Sequence, residues 1–252
     1  QAAGVLPVMA GRAARLFDYL VDKEKAYLAE IAFGAATDTQ DAQGRVTARG
    51  EQYPSLAQVQ EVLPRFLGDI QQVPPSYSAI KVQGQRLYDL ARRGELVTPP
   101  PRPVFVADIR LLRETEHHGM MLLVRCGKGT YIRTLCHDLG QALGCPAHMR
   151  FLLRTQSGAF TLDQAFTLEE LRGAWEEGRL EERCLMPMDA PLSHLGRVQV
   201  PRGYEALSRN GGRMPLEAFP DVLDIREGEV LRLYLREEFL GIVHRRGGHL
   251  AF

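Results

Sequence analysis

Several features are scarce in this sequence, and each shortage argues against a class of protein. Among 252 residues there are only four cysteines, with no CxxC pair and no zinc-ligand spacing. No apolar run approaches the roughly 20 residues that a membrane-spanning helix requires, so we expect no membrane association. Lys+Arg and Asp+Glu balance at 31 each, so there is no overall basic excess that would indicate nucleic-acid binding. A local basic groove is still compatible with that balance.

The four cysteines favour an interpretation as packed apolar residues. Cys136-His137, Cys145 and His148 lie close enough in sequence to suggest a metal site. Free cysteine is, however, among the most buried residue types and packs as a small apolar side chain. We therefore expect no metal, reduced thiols and a cytoplasmic protein, since no secretory signal is visible.

The order of patterns predicts an α+β protein followed by an all-β segment. Residues 25–34 alternate with period two, as a half-buried strand does, and Ser55 and Thr167 begin sequences typical of capping boxes. From about residue 192 the pattern changes to short alternating strands separated by glycine turns. About sixty residues of that kind favour a small β-barrel.

The stretch CGKGTYIRTLCHDLG, residues 126–140, places an arginine near the start of a predicted helix. It is not a phosphate-binding Walker A loop, because no glycine lies five residues before Gly127. A generic anion site with Lys128 and Thr130 is one interpretation. A cation in the first turn typically costs about 0.3–1 kcal/mol. Arg133 is either a surface arginine or one partner of a structural salt bridge to a carboxylate such as Asp138, or it is held in a functional cleft to orient an acidic residue or grip phosphate.

Other candidate residues also allow two interpretations. Tyr27 shares a face with core residues, but a tyrosine at a cleft edge could stack on a base. Tyr77 and Lys81 belong to a segment that mixes aromatic and basic residues, which fits either an RNA groove or a solvated loop. Asp38 and Asp41 form either an acid pair or an Asx-turn loop.

Taken together, four long segments resemble the bacterial TruB-type tRNA pseudouridine synthases. They occur in the family's order and cover nearly the whole chain, most weakly in residues 192–252. Lys128 and Leu153 are mild departures from the family pattern. The matching segments are QAAGVLPVMAGRAARL, KAYLAEIAFGAATDTQDAQG, VPPSYSAIKVQGQRLYDLARRG and CGKGTYIRTLCHDLGQALGCPAHMRFLLRTQSGAF.

The resemblance implies isomerisation of uridine to pseudouridine at position 55 in the T loop of tRNA, without cofactor or metal. The base must leave its stack, at a cost of about a few kcal/mol. In the family the nucleophile is an aspartate in a GTLDPxAxGVLP loop. Only its last part is present, as residues 1–7, so the aspartate is expected two residues before Gln1. The chain alone is then expected to be inactive.

The resemblance also implies roles for individual residues. Arg133 would pair with the catalytic aspartate and keep it ionised. Tyr27 would stack on the target base and take part in the later proton step. Tyr131 and Leu152 would line the uracil pocket. The remaining residues expected to contact the RNA are Asp38, Tyr77, Lys81, Lys128 and Thr130.

The implied organisation is a catalytic domain in residues 1–190 and a PUA-like RNA-binding domain in residues 191–252. The catalytic domain has the pseudouridine synthase fold, a mixed, mostly antiparallel sheet flanked by helices. Residues 76–103 would form an RNA-clamping insertion, and the protein would be a monomer. Two alternatives are a tRNA-binding module without catalysis and an anion-binding enzyme of unrelated chemistry that uses residues 127–133.

Overall fold

The computed structural model describes residues 3–20, 24–75, 77–78, 80–82, 84–93, 97–220 and 224–252. These residues form two compact units. The first unit combines Gln1–Val8 with Val21–Ala165, and the second combines Met9–Leu20 with Phe166–Phe252. In the described ranges, no helix has the length and apolar character needed to cross a membrane.

The described chain forms strands, α-helices and 3-10 helices with the following bounds. The strands are β1 (Ala3–Gly4), β2 (Lys25–Phe33), β3 (Ala35–Thr37), β4 (Val46–Arg49), β5 (Gly68–Gln72), β6 (Lys81–Val82), β7 (Gln85–Arg86), β8 (Arg102–Thr115), β9 (Gly119–Cys126), β10 (Ala147–Ser157), β11 (Phe160–Thr161), β12 (Gly196–Gln199), β13 (Met214–Pro215), β14 (Val230–Leu235), β15 (Glu238–Arg246) and β16 (His249–Ala251). The α-helices are α1 (Leu56–Val62), α2 (Leu87–Arg92), α3 (Ile132–Ala142), α4 (Leu168–Glu176), α5 (Leu180–Cys184) and α6 (Glu205–Arg209). The 3-10 helices are Gly11–Tyr19, Leu63–Phe66, Leu162–Gln164, Ala190–Leu192 and Leu216–Ala218.

The first unit is built on one large sheet with the order β1-β10-β2-β9-β8-β5, and β11 pairs with β10. Only the pairing of β1 with β10 is parallel. The other pairs are antiparallel, which confirms the prediction of a mixed, mostly antiparallel sheet flanked by helices.

The core of this unit lies on one face of the sheet, under α3. Ala29, Ile31 and Phe33 of β2 alternate toward that face and are buried, because successive side chains of a strand point to opposite sides. From α3, Leu135 and Leu139 join the same buried cluster. Since burying one such side chain contributes about 1.5–3 kcal/mol, the cluster fixes α3 against β2 and β10.

The second unit contains a five-stranded sheet with the order β12-β14-β15-β16-β13. Within the described residues this sheet is open, because β12 and β13 end the order and do not pair with each other. The barrel expected from the sequence would need that pairing, and β13 has only two residues. That the unit is PUA-like stays a prediction.

The predicted boundary after residue 190 falls inside Phe166–Phe252, the longer segment of the second unit. Residues on both sides of that boundary contact strands of the same unit. The hydroxyl of Tyr234 donates a hydrogen bond of 2.5 Å to Asp189, and Leu192 belongs to a small buried cluster with Ile242.

Two local predictions are confirmed. Ser55 and Thr167 each form a complete capping box, at the starts of α1 and α4.

Candidate active site

The centre of the candidate site is the first turn of α3. Tyr131 is the N-cap residue, and its side chain makes no capping hydrogen bond. Its backbone is held instead by the side chain of Gln72, which accepts from the Tyr131 N–H (3.0 Å) and donates to the Tyr131 carbonyl (3.2 Å). Just before it, the Thr130 hydroxyl donates to the carbonyl of Gly127 (3.2 Å). The helix therefore begins in a defined orientation.

Arg133 lies one residue inside this helix and makes three contacts with the rest of the unit. Its Nη1 donates to Oδ2 of Asp41 (3.1 Å) and to the carbonyl of Thr39 (3.3 Å). Its Nη2 donates to the carbonyl of Tyr77 (3.0 Å). The guanidinium thus joins α3 to two loops, and these partners offset the cost of a cation in the first helical turn.

The loop between β3 and β4 is shaped to present Asp41. The Thr37 hydroxyl donates to the Asp41 carbonyl (2.7 Å), and the Thr39 hydroxyl donates to Asp41 Oδ1 (2.8 Å). The backbone N–H of Gln43 donates to the same oxygen (3.1 Å). A Cβ on Gly44 would lie 2.4 Å from the Thr39 hydroxyl, so the loop requires glycine there.

The protonation state of Asp41 follows from these contacts. Burial alone would raise its pKa. The hydroxyl of Thr39, the N–H of Gln43 and the charge and hydrogen bond of Arg133 outweigh burial and set the pKa below the ordinary value of 3.8. Asp41 is therefore an anion at neutral pH, and its pair with Arg133 is ionic.

Among the described residues the carboxylate partner of Arg133 is Asp41, which the sequence analysis did not assign to it. Asp138 is not its partner, because residues five apart on a helix point in different directions; burial instead raises the pKa of Asp138. The aspartate expected before Gln1 lies outside the chain, so that pairing stays a prediction. Asp38 and Asp41 were both recognised as an acidic pair in one loop, but only Asp38 was predicted to contact RNA. Asp38 accepts from the backbone N–H of Arg45 (2.9 Å) and closes the loop.

Tyr27 and Leu152 lie on the sheet face that α3 covers. In the antiparallel register of β2 and β10, Tyr27 is opposite Arg154 and Ala29 is opposite Leu152, so all four side chains share one face. Tyr27 and Leu152 are partly buried and pack against the core cluster. Burial and the nearby Cys126 raise the pKa of Tyr27, and Arg154 partly opposes this. Tyr27 therefore keeps its proton at neutral pH.

The start of the described chain forms β1, which pairs with β10 at the end of the sheet order. Gly4 of β1 is opposite Arg154 of β10, and Arg154 Nε donates to the carbonyl of Val5 (2.6 Å). A Cβ on Gly4 would lie 2.2 Å from the Arg154 carbonyl oxygen. Only glycine allows this close approach, which brings the start of the chain next to the strand that carries Leu152.

Three of the other four predicted residues lie near the α3 N-terminus. Tyr77 is half-buried and its carbonyl binds Arg133. Thr130 is half-buried and Lys128 is exposed, both in the turn before α3. Lys81 lies in β6, and its side chain, like part of the 76–103 segment, falls outside the described residues.

The described part of the chain holds no group of three or more His, Cys, Asp or Glu side chains arranged to hold a metal ion. The combination present is a fixed guanidinium, an anionic carboxylate, a protonated phenol and an apolar wall. Such a set can orient a charged group and enclose a planar base.

Comparison with known proteins identifies the family. The profile described as "TruB family pseudouridylate synthase (N terminal domain)" matches residues 1–132. The profile described as "tRNA pseudouridylate synthase B C-terminal domain" matches residues 133–193. The chain therefore belongs to the TruB family of pseudouridylate synthases, as the resemblance of its motifs predicted.

Individual relatives agree with this assignment. The chain is 39% identical over 240 residues to tRNA pseudouridine synthase B of Alkaliphilus oremlandii, covering 95% of this chain and 79% of the relative. It is 43% identical over 236 residues to the protein of the same name from Moorella thermoacetica, covering 92% and 77%. Among solved structures, a chain from "Crystal Structure of a Cbf5-Nop10-Gar1 Complex" matches with a TM-score of 0.70 and 25% identity, covering 100% of this chain and 71% of that chain.

Proposed function

We propose that this protein converts uridine to pseudouridine at position 55 in the T loop of tRNA. RNA is the substrate, the target base is flipped out of its stack, and the active unit is a single chain in the cytoplasm. One observation carries the proposal. Arg133 on α3 binds Asp41 and Tyr77 on two loops, and Tyr27 and Leu152 on adjacent strands pack against the core cluster that includes Ile132 of the same helix.

The nucleophile in this proposal is an aspartate two residues before Gln1. It would lie four residues before Ala3, so its Cα would be within about 14 Å of the Ala3 Cα. Ala3 is opposite Leu153 in the β1–β10 register, one residue from the proposed pocket residue Leu152. In this proposal the aspartate lies beside β10 and turns toward the face that carries Tyr27. As a carboxylate near Arg133 it would stay ionised and able to attack the base.

The other residues then have defined tasks. Tyr27 stacks on the uracil, and its protonated hydroxyl serves the proton step after the base has rotated. Tyr131 and Leu152 enclose the base. Contacts to the surrounding RNA come from Asp38, Lys128 and Thr130. Tyr77 and Lys81 make further contacts as part of the 76–103 clamp. Residues 191–252 also bind RNA.

A tritium-release assay tests the proposal. The full-length protein is incubated with a T-arm transcript labelled with tritium at uridine C5, and the same transcript with cytidine at position 55 is the control. We expect release only from the first transcript. Absence of release would refute the function, and salt-sensitive binding without release would indicate a non-catalytic RNA-binding protein.

The role of Arg133 is tested by Arg133→Lys in the full-length protein. Lysine has one nitrogen and cannot reproduce contacts that come from both Nη1 and Nη2 of arginine. We expect Arg133→Lys to lose most activity. The matched control is Arg65→Lys at an exposed position, which should keep its activity. A near-normal rate for Arg133→Lys would mean that the arginine is structural only.

A further inference from the structure

A buried glutamine contacts the start of α3 but takes no part in the function proposed above. Gln72 is the last residue of β5, 1% exposed, and its side chain is surrounded by protein. Both polar ends of its amide bind the same residue: Oε1 accepts from the Tyr131 N–H (3.0 Å), and Nε2 donates to the Tyr131 carbonyl (3.2 Å). The two residues are 59 positions apart in the sequence.

The bond from the Tyr131 N–H to Gln72 corresponds to one half of a capping box, in which a glutamine or glutamate side chain accepts from the N-cap N–H. The Tyr131 carbonyl also accepts the first helical bond, from the Leu135 N–H (3.0 Å). The amide of Gln72 therefore fixes both sides of the residue at which the chain turns from extended to helical. A glutamine suits this task because one rigid plane carries a donor and an acceptor. Glutamate lacks the donor, and asparagine is one methylene shorter.

The geometry links this contact to Arg133. Tyr131 is two residues before Arg133, so a change in the backbone at Tyr131 moves the guanidinium. The segment that begins at Gln72 continues to Tyr77, whose carbonyl accepts from Arg133 Nη2 (3.0 Å). The same short stretch of chain thus holds the helix start through Gln72 and the guanidinium through Tyr77.

We propose that Gln72 is a positioning residue of the pseudouridine synthase reaction, which sets the direction of the first turn of α3 and hence the position of Arg133. The inference rests on the function proposed above. Gln72 is buried and does not contact RNA; it acts on the rate through Tyr131 and Arg133.

The first test uses Gln72→Met in the full-length protein, which keeps the length of the side chain and removes both hydrogen bonds. We expect kcat to fall by about 10- to 100-fold, because small displacements of an orienting group have effects of that size. The Kd for T-arm RNA should stay within about twofold. Gln71→Met is the matched control, since Gln71 is adjacent and exposed, and it should behave as wild type.

The second test uses Gln72→Glu and a pH profile. A protonated carboxyl offers an O–H donor and a C=O acceptor, so it restores both bonds, whereas a carboxylate has no donor. Burial favours the neutral form and moves the titration above the ordinary glutamate pKa of about 4.3. The ratio of variant to wild-type kcat should therefore fall as pH rises, and the corresponding ratio for Gln71→Glu should be flat.

The outcomes separate this inference from the proposed function. Wild-type protein that releases no tritium refutes the function itself. Active wild type together with wild-type kcat in Gln72→Met, or a flat pH ratio in Gln72→Glu, overturns the positioning role. If Gln72→Met does not fold, Gln72→Asn is measured in its place, since it keeps the amide but cannot span both contacts. A wild-type kcat in Gln72→Asn would also overturn the inference.

Discussion

The ion pair between Arg133 and Asp41 allows a quantitative prediction. Their side chains are only 22% and 14% exposed, and Nη1 and Oδ2 are 3.1 Å apart. Breaking a fully buried pair costs about 3–5 kcal/mol, whereas most surface pairs contribute about 0–1 kcal/mol. This pair lies between those limits. We therefore expect Asp41→Asn to lower the free energy of unfolding by about 2 kcal/mol, roughly a 30-fold change in the equilibrium constant.

An exposed ion pair provides the control. Arg110 Nε and Asp108 Oδ2 are closer, at 2.6 Å, but their side chains are 65% and 31% exposed. If burial determines how strongly an ion pair stabilises the fold, Asp108→Asn should lower the free energy of unfolding by less than about 1 kcal/mol. Urea unfolding of both variants measures the difference. Equal costs for Asp41→Asn and Asp108→Asn would refute the reasoning.

The pH dependence gives an independent check on the same pair. Because the folded-state pKa of Asp41 is lowered below 3.8, its stabilising contribution is complete above that unfolded-state value. The contribution is lost as pH falls through the folded-state pKa. The stability difference between wild type and Asp41→Asn should therefore shrink below about pH 4. A difference that stays constant through this acid range would contradict an ionised Asp41 in the folded protein.

Three further predictions concern separate parts of the molecule. Tyr27→Phe should bind T-arm RNA with a Kd near that of wild type but convert it slowly in single-turnover assays, because the hydroxyl is lost; weakened binding would instead indicate a packing role. Ser55→Ala removes the cap of α1 and should lower the free energy of unfolding by about 1 kcal/mol in urea titrations, and no change would argue against the cap. Burial raises the pKa of Cys126 to about 11, so at pH 8 this thiol should react with iodoacetamide more slowly than the half-buried Cys184. Equal labelling of the two cysteines by mass spectrometry would contradict that expectation.

Much of the local structure could be predicted because its causes are local. The period-two pattern of residues 25–34 corresponds to β2, and the capping boxes at Ser55 and Thr167 begin helices. Each of these signals depends on residues within one turn or a few strand positions. The β-rich character of the C-terminal residues was also visible, but whether their sheet closes depends on the pairing of strands that are distant in sequence.

The candidate site shows where sequence reasoning was incomplete. The motif residues Arg133, Tyr27 and Leu152 were identified by resemblance, and the structure places Tyr27 and Leu152 on the face that α3 covers. Asp41 was left out in favour of Asp38, although both belong to one acidic loop. Nothing in the sequence of that loop says which carboxylate points toward α3.

Local patterns along the chain predicted several elements, and the motifs named the family and the groups that could do chemistry. Which of these groups meet follows only from the folded chain: Arg133 pairs with Asp41 across 92 positions, Gln72 with Tyr131 across 59, and Arg154 with Val5 across 149. Periodicity and capping report on neighbours along one helix or strand. Contacts between distant segments depend instead on sheet register, loop conformation and the burial of α3, which are fixed only when the whole core packs together.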